Sequence, residues 1–192
     1  MRHADSTPAP APLPGAAGYR FAVIVSRFNQ AITDSLRNGA RAALTEAGAA
    51  AQDVEEMSVP GAFELPQAAR CAAETGTFDA IVCLGCVIRG ATPHFEYISS
   101  AVAQGIMDAA GETGVPIAFG VLTTDTQAQA EERAGDGRDN KGWEAAAAGI
   151  EMAVLFRRLG RPPARSAASP RPFGFEPGGS RGSTGTARGT EA

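Results

Sequence analysis

Of the side chains in this 192-residue chain, His94 is the one best suited to moving a proton near neutral pH. It stands in Ile88-Arg89-Gly90-Ala91-Thr92-Pro93-His94. There a flexible glycine and a hydroxyl precede what reads as the start of a helix. The free N–H groups and dipole of a helix N-terminus attract anions, so a phosphate bound there would lie close to the imidazole. The plainer alternative is an exposed polar residue opening a helix. Only His3 and His94 are present, which excludes a multi-histidine metal centre. Phe28, between Arg27 and Asn29, follows a strand-like run; its ring could stack on a planar heterocycle or staple the helix that follows. Ala62-Phe63-Glu64 puts a carboxylate at another helix start, where it either meets a ligand or complements the dipole. Arg133 and Lys141 flank the polar loop 135–140, as phosphate-binding or as solvated cations. Cys83 and Cys86 form a CxxC, but they fall inside a strand pattern. Residues three apart in a strand face opposite sides, whereas redox CxxC motifs open a helix. No P-loop motif and no GxGxxG after a strand is present, so nucleotide-triphosphate and dinucleotide binding lack their usual support.

The elements that must position these groups alternate. Phe21–Ser26, Val54–Val59, Asp79–Ile88 and Val115–Leu122 read as strands, the third being the strongest apolar run. Between them fall helical patterns. The first is capped at Thr33, Asp34 or Ser35 and ends at Gly48. The second follows Pro60-Gly61 and stops near Gly76. The third opens with Thr92 as cap and Pro93 as first helical residue and runs to about Gly111. A short helix capped at Thr124 or Asp125 reaches about Ala134, and a last one runs from Gly142 to Leu159. Alternating strands and helices require right-handed crossovers and a parallel sheet covered on both faces. The expected fold is therefore α/β, a three-layer α/β/α sandwich with a four-stranded parallel sheet, flavodoxin-like. Ligands of such sheets sit beyond the carboxyl ends of the strands, where the segments named above fall.

Composition narrows the class. The chain is 44% hydrophobic with no apolar run long enough to span a bilayer, so no membrane association is expected. A formal charge of −4 argues against dedicated nucleic-acid binding. Three cysteines do not make a disulfide framework. Residues 1–18 alternate proline with alanine and leucine, which predicts an extended, solvated extension and no secretory leader. Residues 161–192 carry Arg161, Arg165, Arg171, Arg181 and Arg188 against Glu176 and Glu191, within Pro, Gly and Ser. That composition predicts a disordered tail of charge +3, solvated or in contact with RNA or a partner. The expected body is one domain, residues 19–160.

Taken together, the segments resemble those of the 6,7-dimethyl-8-ribityllumazine synthases, the penultimate enzymes of riboflavin synthesis. The likeness runs through Ser26-Arg27-Phe28-Asn29, Val59 to Pro66, Leu84 to Phe95, Phe119 to Thr124, Glu132 to Gly135 and Asn140-Lys141-Gly142, in family order, covering about residues 19–159. The resemblance implies a transferase that condenses 5-amino-6-(D-ribitylamino)uracil with 3,4-dihydroxy-2-butanone 4-phosphate, releasing phosphate and water. It implies that Phe28 stacks on the pyrimidine, and that Ala62, Phe63, Glu64, Cys86, Val87 and Ile88 hold the uracil and ribityl groups. Ala91 and Thr92 would hold the butanone phosphate and His94 would donate the proton. Phe119 and Arg133 would come from a neighbouring subunit of a pentamer, Arg133 on the phosphate with Lys141 close by. Cys86 stands where relatives commonly carry threonine, so a contact there is expected from the backbone. The chemistry calls for proton transfer and charge neutralisation without an electron sink, so no metal and no organic cofactor is expected. The partners implied are the two small molecules and further copies of the chain, in a pentamer or a shell of pentamers, in the cytoplasm. A non-catalytic flavin- or phosphate-binding module, or a structural container, are the competing classes.

Overall fold

The structure, a computed structural model, describes residues 12–164. Four parallel strands form one sheet in the order β2-β1-β3-β4, with β1 Phe21–Ser26, β2 Val54–Val59, β3 Ala80–Ile88 and β4 Ile117–Thr124. The two continuous apolar runs, FAVIVS and AIVCLGCVI, are the two central strands, because a strand with neighbours on both edges and helices on both faces meets no water. The mixed sequence VEEMSV lies at an edge.

Helices α1 Gln30–Glu46 and α5 Lys141–Arg158 cover one face, joined by the short α4 Gln127–Arg133; α2 Leu65–Glu74 and α3 His94–Thr113 cover the other. Side chains of the central strands divide between the faces with period two. Val23, Val25, Val82 and Leu84 pack with Leu36, Leu44, Trp143 and Ile150, while Ala22, Ile24, Ile81 and Cys83 pack with Leu65, Ala69, Val102 and Ile106. The same alternation sends Cys83 and Cys86 to opposite faces, so they form neither a redox pair nor half of a metal site. Burial pushes the Cys83 thiol up to about 12 and the Cys86 thiol up to about 11.

Several element ends differ from expectation, each for a local reason. Helix α1 begins at Gln30, ahead of Thr33, Asp34 and Ser35. Asn29 adopts φ 58°, and its carbonyl accepts from the N–H groups of Ile32 and Thr33 at 3.0 and 3.1 Å, which starts the helix a turn early. Helix α3 begins at His94; Thr92 does not cap it and Pro93 lies just outside. Strand β4 begins after Pro116, whose missing N–H cannot join the ladder. Thr126, not Thr124 or Asp125, caps α4, accepting from the Gln129 N–H at 3.2 Å. Asn140 caps α5, accepting from the N–H groups of Gly142 and Trp143 at 2.8 and 3.3 Å.

The packed body also extends past the expected domain limits. Leu13 packs against the core, and Ala16 is fully buried, its N–H donating to the Ala47 carbonyl at 2.7 Å. The buried Asp79 carboxylate accepts from Arg20 N–H at 2.8 Å, Arg157 Nη2 at 3.0 Å and Ala164 N–H at 3.1 Å, which fastens residues 161–164 to the body. The rest of the two expected extensions, residues 1–11 and 165–192, lies outside the described residues.

Candidate active site

The chain leaves β1 toward β2 on one side, and β3 lies on the other, so the topological switch point falls between β1 and β3. In open parallel sheets, connections that depart in opposite directions from neighbouring strands leave room there for a ligand. The segments after β1, β2 and β3 converge on this point. Arg27 and Phe28 donate their N–H groups to the carbonyls of Val59 and Pro60 at 2.8 and 3.2 Å, which lays the post-β1 turn beside the post-β2 turn. The Phe28 ring is 69% exposed and is therefore no staple beneath α1. Phe63 is 59% exposed, whereas Ala62 is buried. Glu64 turns its carboxylate back to accept from the Gly61 N–H at 2.8 Å, so it serves the helix start. Cys86 is buried, and its carbonyl accepts from Asn29 Nδ2 at 3.0 Å. Val87 and Ile88 are half-buried, and Gly90, Ala91, Thr92 and His94 are exposed. His94 is the first residue of α3 and no side chain caps that helix, so its first N–H groups face the loop that carries Ala91 and Thr92.

Phe119, Arg133 and Lys141 gather elsewhere. They line a groove of about 380 Å³ along the outer edge of β4, together with Glu144. Lys141 Nζ pairs with Glu144 Oε1 at 2.6 Å. Among the described residues Arg133 has no carboxylate partner; one guanidinium N–H reaches the Gln129 carbonyl at 3.3 Å. The strand register places Phe119 well below the carboxyl end of the sheet. Phe119 lies beside Cys83, whereas Thr124 lies beside Ile88 at the carboxyl end. Five residues of strand separate the two levels, about 16 Å at 3.3 Å per residue. Within one chain, then, the expected site residues fall into two groups. A larger groove of about 570 Å³ between α1 and the β2 edge, bounded by Arg41, Leu44, Val54 and Glu56, contains none of them.

Two residues quoted in the motifs but given no role take part in the crevice. Asn29 is one. Arg89 is the other: its Nε donates to Asp125 Oδ1 at 2.6 Å, its Nη1 pairs with Glu96, and its guanidinium lies 4.2 Å from the centre of the Phe95 ring. The hydrogen bonds it donates to Asp125 and then Glu96 push the guanidinium further up from its ordinary range, and Arg89 holds the Glu96 carboxyl below the usual one. These partners lie 36 and 7 residues away, so only the spacing to Glu96 was near enough in sequence to hint at a contact.

An exposed aromatic ring after β1, and an exposed imidazole at an uncapped helix start after β3, thus follow the two strands that flank the switch point, a placement suited to a planar ring and an anion. Residues 18–157 match the model of the family described as 6,7-dimethyl-8-ribityllumazine synthase. A curated relative from Syntrophus aciditrophicus (strain SB), named 6,7-dimethyl-8-ribityllumazine synthase, is 56% identical over 144 residues, covering 75% of this chain and 94% of the relative. The four-stranded parallel sheet with helices on both faces agrees with that match, and the chain belongs to the 6,7-dimethyl-8-ribityllumazine synthase family.

Proposed function

We propose that the two groups of residues are the halves of one active site, which condenses 5-amino-6-(D-ribitylamino)uracil with 3,4-dihydroxy-2-butanone 4-phosphate to 6,7-dimethyl-8-ribityllumazine in riboflavin biosynthesis. The uracil stacks on Phe28, with the backbone of Ala62, Phe63, Val87 and Ile88 around its polar edge and the ribityl chain. Glu64 and the Cys86 carbonyl are already engaged within the chain, so their part is to hold those backbone groups in place. The phosphate sits at the start of α3 against Ala91 and Thr92, beside His94. The 5-amino group attacks the ketone and water leaves as the Schiff base forms. The imidazole of His94 then shuttles protons while the C–O bond to phosphate breaks. Loss of phosphate leaves an enol at the former 3-hydroxyl carbon, which tautomerises to a new ketone; the ribityl-bearing amine closes the second ring by attacking that ketone, and a second water departs.

The observation that carries the reading is the placement of the exposed Phe28 ring after β1 and of His94 at the open start of α3 after β3, the two strands that flank the switch point. The arrangement supports a site completed by a second copy: Phe119 lies on the β4 edge about 16 Å of strand below the carboxyl end of the sheet, and Arg133 lines the same outer groove. A pentamer, alone or built into a shell, satisfies this for every copy. The Phe119 ring, 44% exposed on an edge strand, is then covered. We place the enzyme in the cytoplasm, where three unpaired thiols are stable. Among the described residues no helix is long and apolar enough to cross a membrane.

The test is an absorbance assay for lumazine formation from the two substrates, paired with size-exclusion chromatography and light scattering. Turnover by a particle of five copies, or a multiple of five, is expected. A yellow protein that is inactive on both substrates would favour a flavin-binding module instead. Turnover by a monomer would remove the shared-site assignment.

A further inference from the structure

We propose that Arg89 is a positioning residue that holds the phosphate cradle closed; this rests on the assignment of the cradle above. From Arg89 to His94 six consecutive residues are exposed, Gly90 among them, and no side chain caps the helix they lead into. Such a segment would otherwise lose much of its order to conformational entropy, and a ligand would have to restore it on binding. Arg89 closes it by a chord. The residue lies just before the loop and pairs with Glu96, in the first turn of α3 just beyond it. Its Nε reaches Asp125 after β4 at 2.6 Å, its N–H donates to the Thr124 carbonyl at 2.9 Å, and Phe95 lies flat beneath the guanidinium. One planar fork therefore ties together the end of β3, the start of α3 and the turn after β4, the three elements that border the cradle.

The geometry favours positioning over direct phosphate binding. Two carboxylates already take the guanidinium's charge and its forked donors. Were Arg89 a phosphate ligand, Glu96 and Asp125 would compete with the substrate, and neutralising them would tighten phosphate binding. As a positioning residue it needs both, and neutralising them loosens the cradle.

The test compares the wild type with Arg89→Ala, Arg89→Lys and the double variant Glu96→Gln/Asp125→Asn. It reads KM for each substrate, kcat, thermal midpoint, and the affinity for inorganic phosphate followed by the NMR signals of His94. Arg89→Ala is expected to raise the KM for the phosphate substrate and weaken inorganic phosphate about tenfold, the scale of a lost preorganised contact, with the pyrimidine KM changed by less than about twofold. The double variant is expected to weaken phosphate in the same direction, and Arg89→Lys to recover only part of the loss, because an ammonium cannot bridge two carboxylates in one plane. Tighter phosphate binding in the double variant, unchanged phosphate affinity in Arg89→Ala, or full recovery by lysine would each overturn the proposal. If Arg89→Ala does not fold, the double variant decides alone. A wild type without turnover would sink the reaction assignment, while the phosphate titration would still judge Arg89.

Discussion

Asn29 Nδ2 donates a 3.0 Å hydrogen bond to the Cys86 carbonyl, joining the turn that carries Phe28 to the strand that leads into the phosphate cradle. Asn29 is also the one non-glycine residue with positive φ among those described. Asparagine tolerates the left-handed region better than most residues, and its amide supplies the cross-link that glycine lacks. Asn29→Ala is expected to lose about 2 kcal/mol, from backbone strain together with the lost bond, and Asn29→Gly about 1 kcal/mol, from the bond alone. Denaturant unfolding measures both, and equal losses would assign the residue no conformational role.

His94→Ala should slow turnover by less than the roughly 10²–10⁴-fold typical of a general acid, because Schiff bases form appreciably without one. Arg133→Ala should instead raise the KM for the phosphate substrate and leave the pyrimidine KM nearly unchanged. Steady-state kinetics with each substrate varied in turn separates the two; a pyrimidine KM that rose in parallel would detach Arg133 from phosphate.

Asn140 ties the start of α5 to α1 and to the turn after α4. Its Nδ2, with two hydrogens to share, lies 3.2, 3.0 and 2.7 Å from the carbonyls of Ser35, Ala134 and Gly135, while its Oδ1 caps α5. Next to it, a Cβ on Gly142 would come within 1.9 Å of the Leu36 carbonyl oxygen. Asn140→Ala should cost roughly 2–4 kcal/mol through unpaired buried backbone groups, and Gly142→Ala about 3 kcal/mol through displacement of α5. Thermal melts check these, and a midpoint within a degree of wild type for either would contradict the packing described.

Of the three thiols only Cys71 is exposed. A disulfide reagent at neutral pH should titrate one thiol per native chain and three after unfolding. Burial raises the native values of Cys83 and Cys86 from the usual 9.0 to about 12 and about 11. Above pH 9 the unfolded chain therefore sheds protons that the native chain keeps, and stability falls as pH rises through this range. Each thiol contributes a slope of about 1.4 kcal/mol per pH unit, lost once its native value is passed. A Cys83→Ala/Cys86→Ala variant should show a shallower alkaline decline; an unchanged slope would exclude the thiols as its source.

Both described ends are fastened opposite the cradle, Ala16 at the end of α1 and Ala164 at Asp79 just before β3. Deleting residues 165–192 should leave turnover and thermal midpoint unchanged. Deleting residues 161–192 should lower the midpoint by a few degrees, because the Ala164–Asp79 and Arg161–Gly114 contacts go with it, and still spare turnover. A collapse of activity on either deletion would place the tail in the site.

The sequence alone determined that four strands form a parallel sheet covered on both faces. FAVIVS and AIVCLGCVI have no polar alternation, which marked them as buried strands of a covered parallel sheet, while the order that makes them the central pair came from the tertiary structure. Period-two geometry likewise settled that Cys83 and Cys86 point apart, and the motifs after β1 and β3 were legible because ligands gather where strands end. Tertiary structure decided the rest. That Glu64 turns inward to Gly61, that Asn29 starts α1 and reaches Cys86, and that Arg89 bridges Glu96 and Asp125 are matters of side chains meeting across loops, up to 57 residues apart. Nor could spacing reveal that Phe119 lies five residues of strand below Ile88, on the outer edge of the sheet. Local pattern sets which elements form because it acts through neighbours on one chain. Which side chains meet depends on register and crossover, which exist only once the sheet has assembled.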